Sequence, residues 1–161
     1  MLLELLFVNE RHQTGEDTMN VATILKGKGR SVTTVRPDHS LQDVAAKLAA
    51  RKIGAVVVVG DNGAVDGILS ERDVVRAIAE RGVAALEMPV SRFMTRDVIT
   101  CRETSLVDET MEMMTAGRFR HLPVVEDGSL VGIISIGDVV KNHVATVEME
   151  VSAMRNYLAT G

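Results

Sequence analysis

Gly132-Ile133-Ile134-Ser135-Ile136-Gly137-Asp138, followed by Val139-Val140, is a stretch that occurs twice in the chain. The earlier copy is Gly67-Ile68-Leu69-Ser70-Glu71-Arg72-Asp73, followed by Val74-Val75, and Gly, Ser and Asp all recur at an offset of 65 residues. Each copy reads as a short apolar strand, a Ser at the turn, and a helix whose third residue is Asp. A hydroxyl and a carboxylate then stand beside the unpaired N–H groups of a helix start.

The repeat extends outward. At the same offset Leu41 aligns with Leu106, Gly63 with Gly128, and the run Ala55-Val56-Val57-Val58-Val59 with Arg120-His121-Leu122-Pro123-Val124. Self-similarity at a fixed period governs the reading of every smaller motif. A unit of about 60 residues alone buries only about 60% of its surface, so two such units are expected to fuse face to face.

Within each unit the order reads β-α-β-β-α. Val32–Val35 is a brief strand, and Pro37-Asp38-His39-Ser40 turns the chain. Leu41, Val44, Ala45, Leu48 and Ala49 make one apolar face of a helix capped by Ser40 and stopped by Gly54. The run Ala55–Val59 is apolar throughout, as in a strand covered on both sides. Asp61-Asn62-Gly63 signals a hairpin into Val65–Leu69. A second helix over Arg72–Glu80 faces Val74, Val75, Ile78 and Ala79 inward. The second unit follows suit with a strand at Val98–Cys101, a helix at Leu106–Ala116 ended by Gly117, and a hairpin through Glu126-Asp127-Gly128. The fold class is therefore α/β (α+β), with two repeats packed face to face. The expected division is an N-terminal extension, loosely attached, over 1–18, repeat units over 19–86 and 87–145, and a helical extension over 146–161.

In that extension Val140, Val144, Val147, Val151, Met154 and Leu158 alternate steps of four and three, a heptad seam. It is expected to dock on its own domain or, preferentially, on a symmetry mate. The basic stretch Lys26-Gly27-Lys28-Gly29-Arg30 lacks the spacing of a phosphate loop and reads as a mobile connector after a helical turn at Val21–Leu25.

Composition excludes several function classes. A net charge of −4 and an aromatic content of 2% leave neither a broad basic face nor stacking platforms for general nucleic-acid binding. Met1–Val8 is apolar but short, carries Glu4, and has no basic n-region, so neither a signal peptide nor a membrane span is expected. The single cysteine, Cys101, cannot form an internal disulfide, which fits a reducing cytoplasm. No His/Asp/Glu grouping has metal-ligand spacing, and no nucleophile–base pair is evident; an enzyme is not expected.

The copies G-I-L-S-E-R-D-V-V and G-I-I-S-I-G-D-V-V, with R-H-L-P-V-V before the second, resemble cystathionine-β-synthase (CBS) domains, over about residues 21–145. A tandem pair of these forms a Bateman module. The resemblance implies clefts between the repeats that bind adenosine ligands such as AMP, ADP, ATP, NAD(H) or S-adenosylmethionine. It also implies a flat homodimeric disc and a regulated partner protein. Carried onto this sequence, one cleft joins Asp73, Ser70 and Arg72 to Arg118, Arg120 and His121, with Ile99 near the base. The other joins Asp138 and Ser135 to Ala55 and Val56, with Thr33 near the base. Asp would hold the ribose hydroxyls, and basic side chains the phosphates. Because apolar positions stand opposite Asp138 and Gly137 replaces Arg72, phosphate is expected to bind more tightly beside Asp73.

The residues admit plainer readings. S-x-x-D is also the pattern of a helix start that caps itself, and the two roles are compatible. Arg120 and His121 could mark only an exposed strand end. The leading expectation is a stand-alone nucleotide sensor; the alternative is a structural dimerisation scaffold with vestigial pockets.

Overall fold

The computed structural model describes residues 19–161, and the extension expected over 1–18 lies outside the described residues. The first unit contains β1 (Thr34–Val35), α2 (Leu41–Arg51), β2 (Ala55–Val59), β3 (Val65–Ser70) and α3 (Glu71–Arg81), preceded by α1 (Val21–Lys28). The second contains α4 (Val107–Gly117), β4 (His121–Glu126), β5 (Ser129–Ser135) and α5 (Ile136–Thr160). Two 3-10 turns, Gly82–Glu87 and Val90–Arg92, connect them. One sheet runs β1-β2-β3, with β1 parallel to β2; the other is the antiparallel pair β4-β5. The mixed architecture expected from the repeat is the one observed. The expected strand at Val98–Cys101 shrinks to a single parallel bridge, Cys101 to Val124.

The register corrects the alignment of the two units. Ser70 pairs with Ala55, and Ser135 pairs with His121. The motif Ser residues are 65 apart, but their strand partners are 66 apart. Residues 60–64 separate the pair Val59–Val65, whereas only 126–129 separate Val125–Leu130, so the second hairpin is one residue shorter. The counterpart of Ala55 is thus His121, not Arg120, and Leu41 answers to Val107 rather than Leu106. Leu41 and Val107 are each the first residue of their helix and are both buried.

Helix ends also differ from expectation. Ser40 caps α2, accepting from Asp43 N–H at 3.1 Å. The stop is Lys52, left-handed at φ 54°, rather than Gly54. Its counterpart Arg118, φ 55°, ends α4 just beyond Gly117. Left-handed backbone is costly for a residue with a Cβ, and such positions concentrate where function needs them.

The cores exchange segments. α1 precedes the first unit in sequence, yet Val21, Ile24 and Leu25 are buried with Val107, Met114, Leu122 and Ile134 of the second. The linker residues Ala85, Val90 and Met94 are buried with Leu41, Val44, Val56 and Leu69 of the first. The motif glycines make this possible. A Cβ at Gly67 would stand 2.6 Å from Met94 Sδ, and one at Gly132 would stand 2.7 Å from Leu25 Cδ2. The same burial explains why Lys26–Lys28 is not a loose connector. Asn20 caps α1, accepting from Thr23 N–H at 3.1 Å, and the buried face at i, i+3 and i+4 carries the helix past Gly27.

On α3 the inward residues are Val74 and Ala77. Val75 and Ile78, expected inward, are 68% and 39% exposed. The helix has apolar residues on both flanks of its buried stripe, and periodicity cannot say which flank turns in. The α5 seam does not dock on its own domain: Val144, Val147, Val151, Met154 and Leu158 are all exposed.

Candidate functional site

A hollow of about 340 Å³ lies between the two units. From the first come Ser70, Arg72, Asp73 and Arg76, at the β3–α3 junction and the first turns of α3. From the second come Arg118, Arg120 and His121, at the turn between α4 and β4. Thr95, Asp97, Val98 and Ile99 close one side. All residues named from the sequence for the Asp73 cleft therefore line one cavity. The left-handed turn at Arg118 is what brings the α4 end onto its rim.

Asp73 both caps its helix and keeps capacity to spare. Ser70 donates to Asp73 Oδ2 from its backbone N–H at 2.8 Å and from its hydroxyl at 2.9 Å. The other oxygen, Oδ1, meets Arg76 Nη1 only at 3.7 Å, beyond hydrogen-bond length. One carboxylate oxygen is thus committed to the fold, while the other retains its lone pairs. The lining carries four arginines, Arg72, Arg76, Arg118 and Arg120, against the three carboxylates Glu71, Asp73 and Asp97. Guanidinium groups suit an anion with several oxygens in a plane.

His121 is half-buried where the two sheets approach each other. A Cβ at Gly54 would lie 2.9 Å from both Cε1 and Nε2 of its ring. Burial pushes the imidazole below its ordinary 6.5, and the charges of Lys28 and Arg120 push the same way, against Glu71 and Asp138. It stands neutral near pH 7 on these grounds.

The Asp138 side is built differently. Asp138 Oδ2 accepts from Ser135 N–H at 2.8 Å and from Lys28 Nζ at 2.6 Å. Burial alone would raise this carboxyl, but the Lys28 hydrogen bond and the Ser135 amide outweigh it, and the group is held below its ordinary 3.8. Of the residues named from the sequence, Val56 is fully buried in the first core and Ala55 nearly so. The one-residue register difference is the reason: the counterparts of Arg120 and His121 are Gly54 and Ala55. Thr33 is half-buried, and its Oγ1 accepts from Arg51 Nη1 at 2.9 Å.

Sequence reasoning missed Lys28, Arg76, Asp97 and Gly54. Arg76 was within reach, one helical turn beyond Arg72. Lys28 was not, because nothing in a sequence links it to a carboxylate 110 positions away. Among the described residues no cluster of three or more His, Cys, Asp or Glu could hold a metal ion, and no helix is long and apolar enough to cross a membrane.

Residues 29–80 and 90–144 each match the CBS domain family. The chain belongs to that family. As a CBS pair it is similar to a CBS-domain-containing protein of Agrobacterium tumefaciens of known structure, with 52% identity, a TM-score of 0.76, and coverage of 81% of this chain and 96% of that one. The CBS domain pair of protein MJ0100, solved with 5′-methylthioadenosine and S-adenosyl-L-methionine, is 26% identical with a TM-score of 0.71, covering 80% of this chain and 98% of that one. The mitochondrial CBS domain-containing protein CBSX3 of Arabidopsis thaliana is 31% identical over 157 residues, 92% of this chain and 76% of that protein. Against a longer plant relative, CBSCBSPB5, the chain spans 24% of that protein's length. CBS pairs are regulatory modules, and adenosine-containing ligands bind in relatives of this chain.

Proposed function

We propose that this CBS pair is a sensor that binds an adenosine-containing ligand in the Asp73 hollow and passes the bound state to a partner protein. The observation that carries the reading is the juxtaposition in one cavity of Asp73, with an uncommitted oxygen, from one repeat and Arg118, Arg120 and His121 from the other. A carboxylate can accept from both hydroxyls of a ribose, and ionised acceptors bond roughly twice as strongly as neutral ones. Because the walls come from different repeats, a ligand there changes the relative energies of their arrangements, which is the form a regulatory signal takes.

Charge and size narrow the choice. The arginine surplus favours a phosphate-bearing ligand over a neutral or cationic nucleoside. The volume sits near the lower end of the roughly 300–1,000 Å³ usual for ligand sites, which suits AMP or ADP better than a dinucleotide such as NAD(H). ATP fits if its outer phosphates extend over the exposed Arg72 and Arg120.

The chain works as a binding protein rather than an enzyme in this reading; its one thiol, Cys101, is buried and pushed up to about 12, first by that burial and then by Glu126. A reducing, cytoplasmic setting suits a lone buried cysteine. A homodimer is proposed through the apolar stripes that α3 and α5 leave exposed, Val75 and Ile78 on one and Val144, Val147 and Val151 on the other. That surface also supports a second reading, in which the chain is an assembly scaffold.

A thermal-shift series with AMP, ATP and NADH separates the two. A ligand at a hundredfold its Kd stabilises by about 2.7 kcal/mol, roughly 5–10 °C for a chain of this size. A shift of that order with AMP supports the sensor; no shift at millimolar concentrations of all three supports the scaffold.

A further inference from the structure

The carboxylate of Asp138 is already held by an ammonium group of the same chain. Lys28 Nζ lies 2.6 Å from Asp138 Oδ2 and 2.9 Å from the carbonyl oxygen of Ile133. The other unit solves the same local problem without a lysine. There the carbonyl of Ile68, the counterpart of Ile133, accepts from Thr95 N–H at 2.9 Å, and Asp73 bonds only within its own capping motif. A side-chain ammonium in one repeat thus stands where the backbone serves in the other.

The contact is anchored. Lys28 is the last residue of α1, whose Leu25 is buried against Gly132, next to Ile133. The Lys28 and Asp138 side chains are 35% and 26% exposed, so the pair is partly withdrawn from water. A ribose diol would have to replace a charge-assisted bond with neutral donors, and the competing ammonium is tethered, at high local concentration.

We infer that Lys28 is an internal occupant of the Asp138 site that closes it to a sugar diol, so that each chain takes one nucleoside, beside Asp73. This deepens the reading given above and rests on it. It assigns the asymmetry of the two sites to one residue of α1 rather than to the apolar strand positions that the sequence suggested opposite Asp138.

Calorimetry with adenosine and with AMP tests it. The wild-type chain is expected to take one equivalent. Lys28→Met, which keeps the methylenes and removes the ammonium, is expected to take two, and adding Asp138→Ala to it returns the count to one. Lys28→Gln serves as a second variant should the first fold poorly. Two equivalents on the wild type, or folded Lys28→Met and Lys28→Gln chains that still take one, overturn the closure. If the wild type takes up neither ligand, the nucleotide reading fails instead, and carbon-13 titration of the Asp138 carboxyl decides the closure alone. An upward shift of its midpoint in Lys28→Met supports the occupancy, and an unchanged midpoint overturns it.

Discussion

The ring of His121 occupies the space that a side chain at position 54 would need: a Cβ on Gly54 would stand 2.9 Å from its Cε1 and Nε2. The start of β2 and the start of β4 are locked together at this point, one from each repeat. The absence of a side chain at Gly54 is therefore what lets a titratable group from the second repeat sit at the edge of the hollow.

Gly54→Ala should displace the imidazole and disturb the hollow. Overpacking of this kind typically costs about 1–3 kcal/mol, and AMP affinity should fall with it. Adding His121→Ala removes the clash, so the double variant should regain stability without regaining affinity. Chemical denaturation and calorimetry on the four chains of this cycle measure both; additive stabilities would show that the two residues do not press on each other.

Asp73→Ala should weaken AMP binding by roughly tenfold or more and cost about 0.5–2 kcal/mol through the lost capping-box bonds with Ser70. Asp138→Ala should leave AMP affinity nearly unchanged, because its carboxylate is engaged by Lys28. Calorimetry on both variants checks the assignment, and loss of AMP binding on Asp138→Ala alone would invert it.

Arg120→Ala should weaken AMP far more than adenosine. A hydrogen bond to a charged group contributes about 1.5–3 kcal/mol, or roughly 10- to 100-fold in affinity. Parallel titrations with the two ligands provide the comparison, and equal losses for both would remove Arg120 from the phosphate contact.

The depressed His121 imidazole sets the direction of a pH effect. In the free protein, burial and the Lys28 charge keep it neutral below 6.5. A bound phosphate favours the charged form, so binding takes up a proton and affinity rises as pH falls through 6.5 toward the depressed value of the free protein. AMP titrates in this range too, so the measurement is the difference between wild type and His121→Gln, which should lose the imidazole's share. Without ligand the sign for folding is opposite: the unfolded chain binds the proton more readily, and stability declines as pH falls through 6.5 toward the depressed folded value. Asp138 acts lower on the scale. Its depressed carboxyl adds stability above 3.8 that is lost as pH drops through the folded value, and Lys28→Met should diminish that contribution.

Much of this was legible in the residues. The doubled motif located both capping carboxylates, the Asp-Asn-Gly and Glu-Asp-Gly turns located the hairpins, and the basic pair Arg120 and His121 at the start of β4 pointed to one side of the hollow. What failed was register and placement. A constant offset hid a hairpin shortened by one residue, so Val56 was put in a cleft although it is fully buried. The exchange of α1 and the linker between the cores rests on contacts such as Leu25 on Gly132, which local pattern cannot express. Lys28 went unseen for the same reason. Apolar residues on both flanks of α3 left its inward face undetermined, since a period reports an amphipathic helix but not its rotation.

The most direct measurement of the central claim compares AMP with 2′,3′-dideoxy-AMP on the wild type and on Asp73→Ala by calorimetry. If the free oxygen of Asp73 grips the ribose, the wild type should prefer AMP by roughly tenfold or more, and Asp73→Ala should bind the two equally weakly. Equal affinity of the wild type for both nucleotides would contradict the account.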